Sequence, residues 1–142
     1  MRAIIDTNVL VSGLISPSGP PSKIIDAILR GDIIPVMSPA TFAELEDVLH
    51  RPQLQRYFRR AKLTPFQLLS QLHTVAEIAA PKKASSRIRD EKDRAFIELA
   101  ATRPPVDFLV TGDKDFDQAT YEDVTVISAS LFAELLARMR TN

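Results

Sequence analysis

At 142 residues the chain has the length of one ordinary domain, and it reads as a single domain over 1–142. Its 45% hydrophobic and 25% charged content excludes disorder, and the absence of cysteine excludes disulfides, thiolate metal sites and a cysteine nucleophile. The formal net charge is zero, so composition carries no sign of a polyanion partner. No apolar run approaches the roughly 20 residues that span a bilayer, and no signal-peptide layout opens the chain. A reduced cytoplasm is the simplest compartment.

Apolar runs at 2–5 and 9–11 flank Asp6-Thr7-Asn8, a pattern that predicts a buried strand entering a loop. Turn residues fill 16–21, and Ile24, Ile25, Ile28 and Leu29 then share one helical face with Gly31 as its stop. Ile33 to Met37 is a strand. Ser38-Pro39 is an N-cap followed by proline in the first turn, opening a helix striped by Phe42, Leu45, Val48 and Leu49. Thr64-Pro65 repeats the signal for a helix through about Val75, and Ala76 to Ala80 is a third, alanine-weakened strand. Ser85 to Arg89 is polar loop, followed by a helix carrying Ala95, Phe96, Leu99 and Ala100 and closed by Pro104-Pro105. Phe108 to Thr111 and Val124 to Ile127 are strands, and a terminal amphipathic helix carries Leu131, Phe132, Leu135, Leu136 and Met139. Strands separated by helices predict an α/β fold with a mainly parallel sheet covered on both faces. In such sheets ligands gather at the carboxyl ends of strands, where Asp6 and Asp113 both fall.

With only His50 and His73 present, a metal would be held by oxygen, which selects Mg²⁺ or Mn²⁺. Asp6 suits a turn or cap as well as a ligand site. Asn8 stands where a phosphoaspartyl mechanism would want a second aspartate. Glu44 lies beside the apolar stripe of its helix, whereas Glu46 and Asp47 face solvent. Asp90 and Asp93 precede a helix, where acids cap and complement the positive end. One of them serves as the cap or an outer-shell group, and Asp93, three residues before Phe96, is favoured for the metal. Asp113, Asp115 and Asp117 alternate after a strand, without the glycine and closing glutamate of an EF-hand loop.

Two unit charges 4 Å apart repel by about 4 kcal/mol at an effective dielectric of 20. Converging carboxylates therefore call for protons or a cation. A hard divalent ion among oxygen ligands suits phosphodiester hydrolysis. Acyl transfer fits less well, since no Gly-x-Ser-x-Gly elbow occurs.

The segments Ile-Ile-Asp-Thr-Asn-Val-Leu-Val-Ser at 4–12, Ser-Pro-Ala-Thr-Phe-Ala-Glu-Leu at 38–45, Arg-Asp-Glu-Lys-Asp-Arg-Ala-Phe-Ile-Glu-Leu-Ala at 89–100 and Leu-Val-Thr-Gly-Asp-Lys-Asp-Phe at 109–116 together resemble the PIN-domain family. The likeness is especially to the toxin ribonucleases of type II toxin–antitoxin pairs (VapC-like). The resemblance implies a three-layer α/β/α sandwich and an acidic Mg²⁺ or Mn²⁺ site. It matches the family's acids to Asp6, Glu44, Asp93 and Asp113, with Asp115 or Asp117 as a further acid and Asn8 and Thr111 as supporting polar groups. Arg94 after Asp93 departs from the usual pattern and leaves the register between Asp90 and Asp93 open. Single-stranded RNA cleavage, homodimerisation and a small antitoxin partner follow as expectations of the same resemblance.

Lys82, Lys83, Arg87 and Arg89 lead into the acidic site and are candidates for guiding RNA, as is Lys114 within the acidic loop. Arg51, Arg56, Arg59, Arg60 and Lys62 form a second basic cluster, interleaved with Tyr57 and Phe58, that suits a single strand, an antitoxin or plain solvent. The rival readings are a structure-specific DNA nuclease and a catalytically silent, metal-holding binding module.

Overall fold

The computed structural model describes residues 1–82, 93–102, 104–112, 116 and 118–141. Among them β1 (Arg2–Ile5), β2 (Ile34–Met37), β3 (Glu77–Ile78), β4 (Phe108–Val110), β5 (Thr120–Tyr121) and β6 (Val124–Ile127) form one sheet in the order β3-β2-β1-β4-β6-β5. All neighbours pair in parallel except β5 with β6. The intervening helices are α1 (Thr7–Ile15), α2 (Pro20–Leu29), α3 (Pro39–Leu49), α4 (Pro52–Ala61), α5 (Pro65–Val75), α6 (Arg94–Ala100) and α7 (Ala129–Thr141).

Alternation along the strands divides the core into two layers. Ala3, Ile5, Met37 and Val110 face a large cluster built with Leu10, Ile24, Leu45, Leu69 and Phe132. Ile4, Val36 and Leu109 point the other way, into a smaller cluster with Phe96, Ile97, Leu99, Phe116 and Tyr121. A strand whose successive side chains feed opposite cores must be covered on both sides, so the three-layer α/β/α sandwich follows. The continuously apolar stretches of β1 and β4 are the sequence trace of this double burial.

The two predicted proline-led helices form as expected. Ser38 and Thr64 each accept a hydrogen bond from the backbone N–H three residues on, and the third residue's side chain returns the bond in both cases. Four local features differ from the sequence expectation. The loop expected after Asp6 is instead the helix α1, Thr7–Ile15, with Thr7 and Asn8 in its first turn. The third strand shrinks from 76–80 to Glu77–Ile78. The segment after Arg51 is a full helix, α4, ended by Lys62 in the left-handed conformation with φ 56°. Finally, β5 is an unanticipated two-residue strand. It joins β6 through Glu122 and Asp123, both at positive φ, as a two-residue hairpin of the type usually made by Asn-Gly. The polar-loop expectation for 85–89 lies outside the described residues.

Gly13 lets α1 and α2 approach closely, because a Cβ there would stand 2.4 Å from Ile25 Cγ1 and 2.5 Å from the Pro21 carbonyl oxygen. At the amino end of the sheet, Arg2 clasps the edge strand. Its Nε and Nη2 donate to the Glu77 carboxylate at 2.8 and 3.0 Å, and its Nη1 donates to the carbonyls of Pro104 and Pro105. The hydrogen bond from Arg2 holds the Glu77 carboxyl below its ordinary value of 4.5. A depressed carboxyl stabilises the fold above the unfolded-state value and loses that contribution as pH falls through the folded-state one. Glu77 is 42% exposed, so screening limits the pair to about 1 kcal/mol or less. Glu77→Gln is therefore expected to cost that little near neutrality, and urea midpoints of variant and parent should converge as the pH drops below 4.5. A constant gap across that range would show that the pair is not the source.

Candidate active site

The sheet reverses its direction of growth at β1 and β4. From β1 the chain moves outward to β2 and β3, whereas from β4 it moves to β6 and β5 on the other side. Such a switch point leaves a crevice at the strands' carboxyl ends, because the connecting loops depart in opposite directions. The residues that follow these two strands are Asp6 and Thr111.

Asp6 occupies the N-cap position of α1, with φ −56° and ψ 143°. Its backbone serves both elements. The N–H donates to the Val110 carbonyl at 2.9 Å, continuing the β1–β4 ladder, while the carbonyl accepts from the N–H groups of Val9 and Leu10. Its side chain makes no cap bond to α1 and instead accepts the Thr111 hydroxyl at 2.8 Å on Oδ2. The register pairing Ile5 with Val110 sets this contact, which joins residues 105 apart in sequence. Asp6 is 6% exposed and Thr111 5%. The amino end of α1 lies at this carboxylate, where the helix dipole favours negative charge.

Glu44 comes from α3, about one and a half turns after its capped start. Packing of α3 on α1 carries it to the Thr7 hydroxyl, which donates to Glu44 Oε2 at 2.8 Å. Thr7 is buried and Glu44 is exposed, so a fixed hydroxyl tethers a carboxylate that reaches solvent. Neither Thr7 nor its role was foreseen. The signal was its position directly after Asp6, legible once residue 7 is taken as helical.

Asp93 is the N-cap residue of α6 by position, yet its side chain makes no cap bond. It is 8% exposed. The chain leaves α6 toward Pro104 and Pro105, which contact Arg2 at the amino edge of the sheet. Across the roughly 10 Å rise of this helix, its amino end, with Asp93, therefore lies toward the carboxyl edge of the sheet. Asp90, Asp113, Asp115, Asp117, Lys83, Arg87, Arg89 and Lys114 lie outside the described residues. Lys82 is exposed, and its backbone N–H donates to the Glu98 carbonyl.

A cleft of about 470 Å³ opens beside Asp6, lined by Asn8, Val9, Ser12, Pro21 and Gly112. Asn8 is exposed to it from the first turn of α1, and Ser12 follows one turn later on the same helix. Ser12 was not anticipated from the sequence, because the i, i+4 relation to Asn8 exists only if both are helical. Among the described residues, no three His, Cys, Asp or Glu side chains form a group able to hold a metal ion. The donors brought to this edge are nonetheless all oxygen: carboxylates of Asp6 and Glu44, hydroxyls of Thr7 and Thr111, and the Asn8 amide. That donor chemistry fits a hard divalent cation and excludes a soft one.

A model of the PIN domain matches residues 2–115, most of the chain. The chain belongs to the PIN-domain family. PIN domains are generally nucleases and typically use divalent metals such as Mg²⁺. This PIN domain is 33% identical over 115 residues to an uncharacterized protein of Methanocaldococcus jannaschii, a match covering 81% of this chain and 72% of the relative. No solved structure matches it at a significant level. Among the described residues, no helix of this PIN domain is long and apolar enough to cross a membrane.

Proposed function

We propose that this PIN domain is a metal-dependent endoribonuclease that cuts single-stranded RNA, acting as the toxin of a toxin–antitoxin pair. The observation that carries the reading is the pair of hydroxyl-tethered carboxylates, Thr111–Asp6 and Thr7–Glu44, at the switch point of a nuclease fold. In this reading Asp6, Asp93 and Asp113 hold Mg²⁺ or Mn²⁺, with Asp90, Asp115 or Asp117 as further acids. When bound, such an ion lowers the pKa of water and offsets charge on a phosphoryl oxygen.

The chain's own residues do the rest. The Thr111 hydroxyl holds Asp6 in one rotamer, so the carboxylate needs no reorganisation when substrate arrives. The Thr7 hydroxyl does the same for Glu44, whose carboxylate binds a metal or orients the attacking water. The Asn8 amide offers both a donor and an acceptor to a nucleotide in the cleft. Water adds across the P–O3′ bond: its oxygen stays on phosphorus as a 5′-phosphate, and the departing O3′ takes up a proton as a 3′-hydroxyl. Lys82, Lys83, Arg87, Arg89 and Lys114 guide the strand in this reading. A homodimer and a small antitoxin protein belong to the same reading, as does the reduced cytoplasm that a chain without cysteine suggests.

Incubation with labelled single-stranded RNA, single-stranded DNA and duplex DNA tests the reading. Cleavage of the RNA alone, dependent on Mn²⁺ or Mg²⁺ and stopped by EDTA, is the expected result. Preferential cutting of duplex junctions would favour a structure-specific DNA nuclease, and turnover of none would favour a silent binding module. Either result overturns the proposal.

A further inference from the structure

In the proposed reading the cleft gathers several acids around Asp6, and these repel the polyanion to be cut. A nucleic-acid substrate therefore needs a compensating positive surface along the path of the strand. Besides the basic run at 82–89, most of which lies outside the described residues, the chain carries one marked segregation of charge away from the cleft. From Arg51 to Ala76 there is no Asp or Glu, while Arg51, Arg56, Arg59, Arg60 and Lys62 fall within that span.

On α4 the two kinds of side chain separate by face. Phe58 is buried, and Leu54 and Tyr57 are half-buried against the larger core layer. Arg56, Arg59 and Arg60 stand at i, i+3 and i+4 on the opposite, exposed face. Tyr57 and Phe58 are thus not base-stacking partners of the arginines, as their interleaving in sequence suggested. Among the described residues, none of these three arginines joins an ion pair. Like charges at these spacings destabilise a helix by about 0.2–0.5 kcal/mol per pair. An ordinary solvated face relieves that repulsion with interspersed glutamates, and α4 has none.

The anchoring of α4 relates this helix to the cleft. The Tyr57 hydroxyl donates to the Leu14 carbonyl at 3.2 Å, near the carboxyl end of α1. The cleft runs along the same helix from Asp6 to Ser12. Asp6 and Leu14 are separated by about 12 Å of helical rise, so a strand leaving the cleft along α1 meets α4 within a few nucleotides. We infer that the Arg56–Arg59–Arg60 face of α4 binds the phosphate backbone of single-stranded RNA and is the electrostatic counterweight to the acidic cleft. This assignment rests on the endoribonuclease reading.

Binding and cleavage are to be measured separately. Fluorescence anisotropy of a labelled single-stranded oligoribonucleotide in EDTA reports binding without turnover, and cleavage in Mn²⁺ reports kcat and KM. For the triple variant R56Q/R59Q/R60Q, affinity at about 0.1 M salt should fall about tenfold or more. The slope of log affinity against log salt should flatten by about two, since each single-strand phosphate contact contributes about 0.7. KM should rise with kcat retained. The pair R138Q/R140Q in the last turn of α7 should leave the slope unchanged.

Removing like-charged neighbours should leave Tm at or above the parent's. Should the triple variant fold poorly, R60Q alone reads the same slope with a change of about 0.7. An unchanged slope in these variants overturns the assignment and leaves the face to another occupant, such as an acidic protein segment. An equal loss in R138Q/R140Q overturns it in favour of net charge alone, and tighter binding of DNA overturns RNA as the occupant. Arginine-dependent RNA binding without cleavage in Mn²⁺ would sustain the α4 assignment and remove the nuclease reading instead.

Discussion

Asp6→Asn is expected to lower metal-dependent RNA cleavage by about a thousandfold while the fold persists. The substitution is nearly isosteric. The asparagine carbonyl still accepts the Thr111 hydroxyl, and the backbone bonds to Val110, Val9 and Leu10 do not involve the side chain at all. What disappears is the negative charge at the junction of β1 and α1. Asp6 lies under 10% exposed, so its charge carries a desolvation cost that the Thr111 hydroxyl and the amino end of α1 offset in part and a bound cation would offset further. Tm in EDTA should accordingly be equal or higher in the variant, and the stabilisation gained on adding Mn²⁺ should shrink. Cleavage at the parent's rate would remove Asp6 from the mechanism. A collapse of Tm would make it a structural residue.

Phe96→Ala carries the largest expected loss of stability, about 3–5 kcal/mol, which is a third or more of what a typical domain possesses. Phe96 is 2% exposed within the smaller core layer. Its ring meets Phe116 edge-to-face at 6.4 Å, and Phe116 meets Tyr121 in the same way at 5.8 Å. This aromatic row joins three parts of the chain: the start of α6 behind Asp93, Phe116, and the hairpin edge strand β5. Truncation at Phe96 leaves a cavity that the parallel strands β1 and β4 are too constrained to collapse into. Urea titration should show the midpoint falling with an unchanged m-value. A loss below about 1 kcal/mol would mean that the row does not enclose the ring.

The parts of this molecule legible in its sequence are those decided within one turn or one strand. Ser38-Pro39 and Thr64-Pro65 announce α3 and α5 because a capping box closes over four residues and needs no distant partner. The apolar runs at 3–5 in β1 and in β2 and β4 are visible because double burial removes polar residues from both faces. The helix α1 as a whole was hidden because Asp-Thr-Asn suits a loop as well as a helix start, and Asp6 supplies only backbone to the cap. β5 was hidden because two residues show no period and Glu-Asp is not the usual turn pair. The acids at 90, 113, 115 and 117 fall outside the described residues, so their part in the site rests on the family pattern.

For the site, the sequence by itself selected an oxygen-donor chemistry. With no cysteine and two histidines, composition leaves little else, and Asp6 at a strand end follows from local pattern alone. Only the tertiary structure joined Asp6 to Thr111 and Glu44 to Thr7, across 105 and 37 residues. Those contacts depend on which strands become neighbours and on how α3 packs against α1. Both are settled by burying two apolar layers at once, a global balance that no local window of sequence contains.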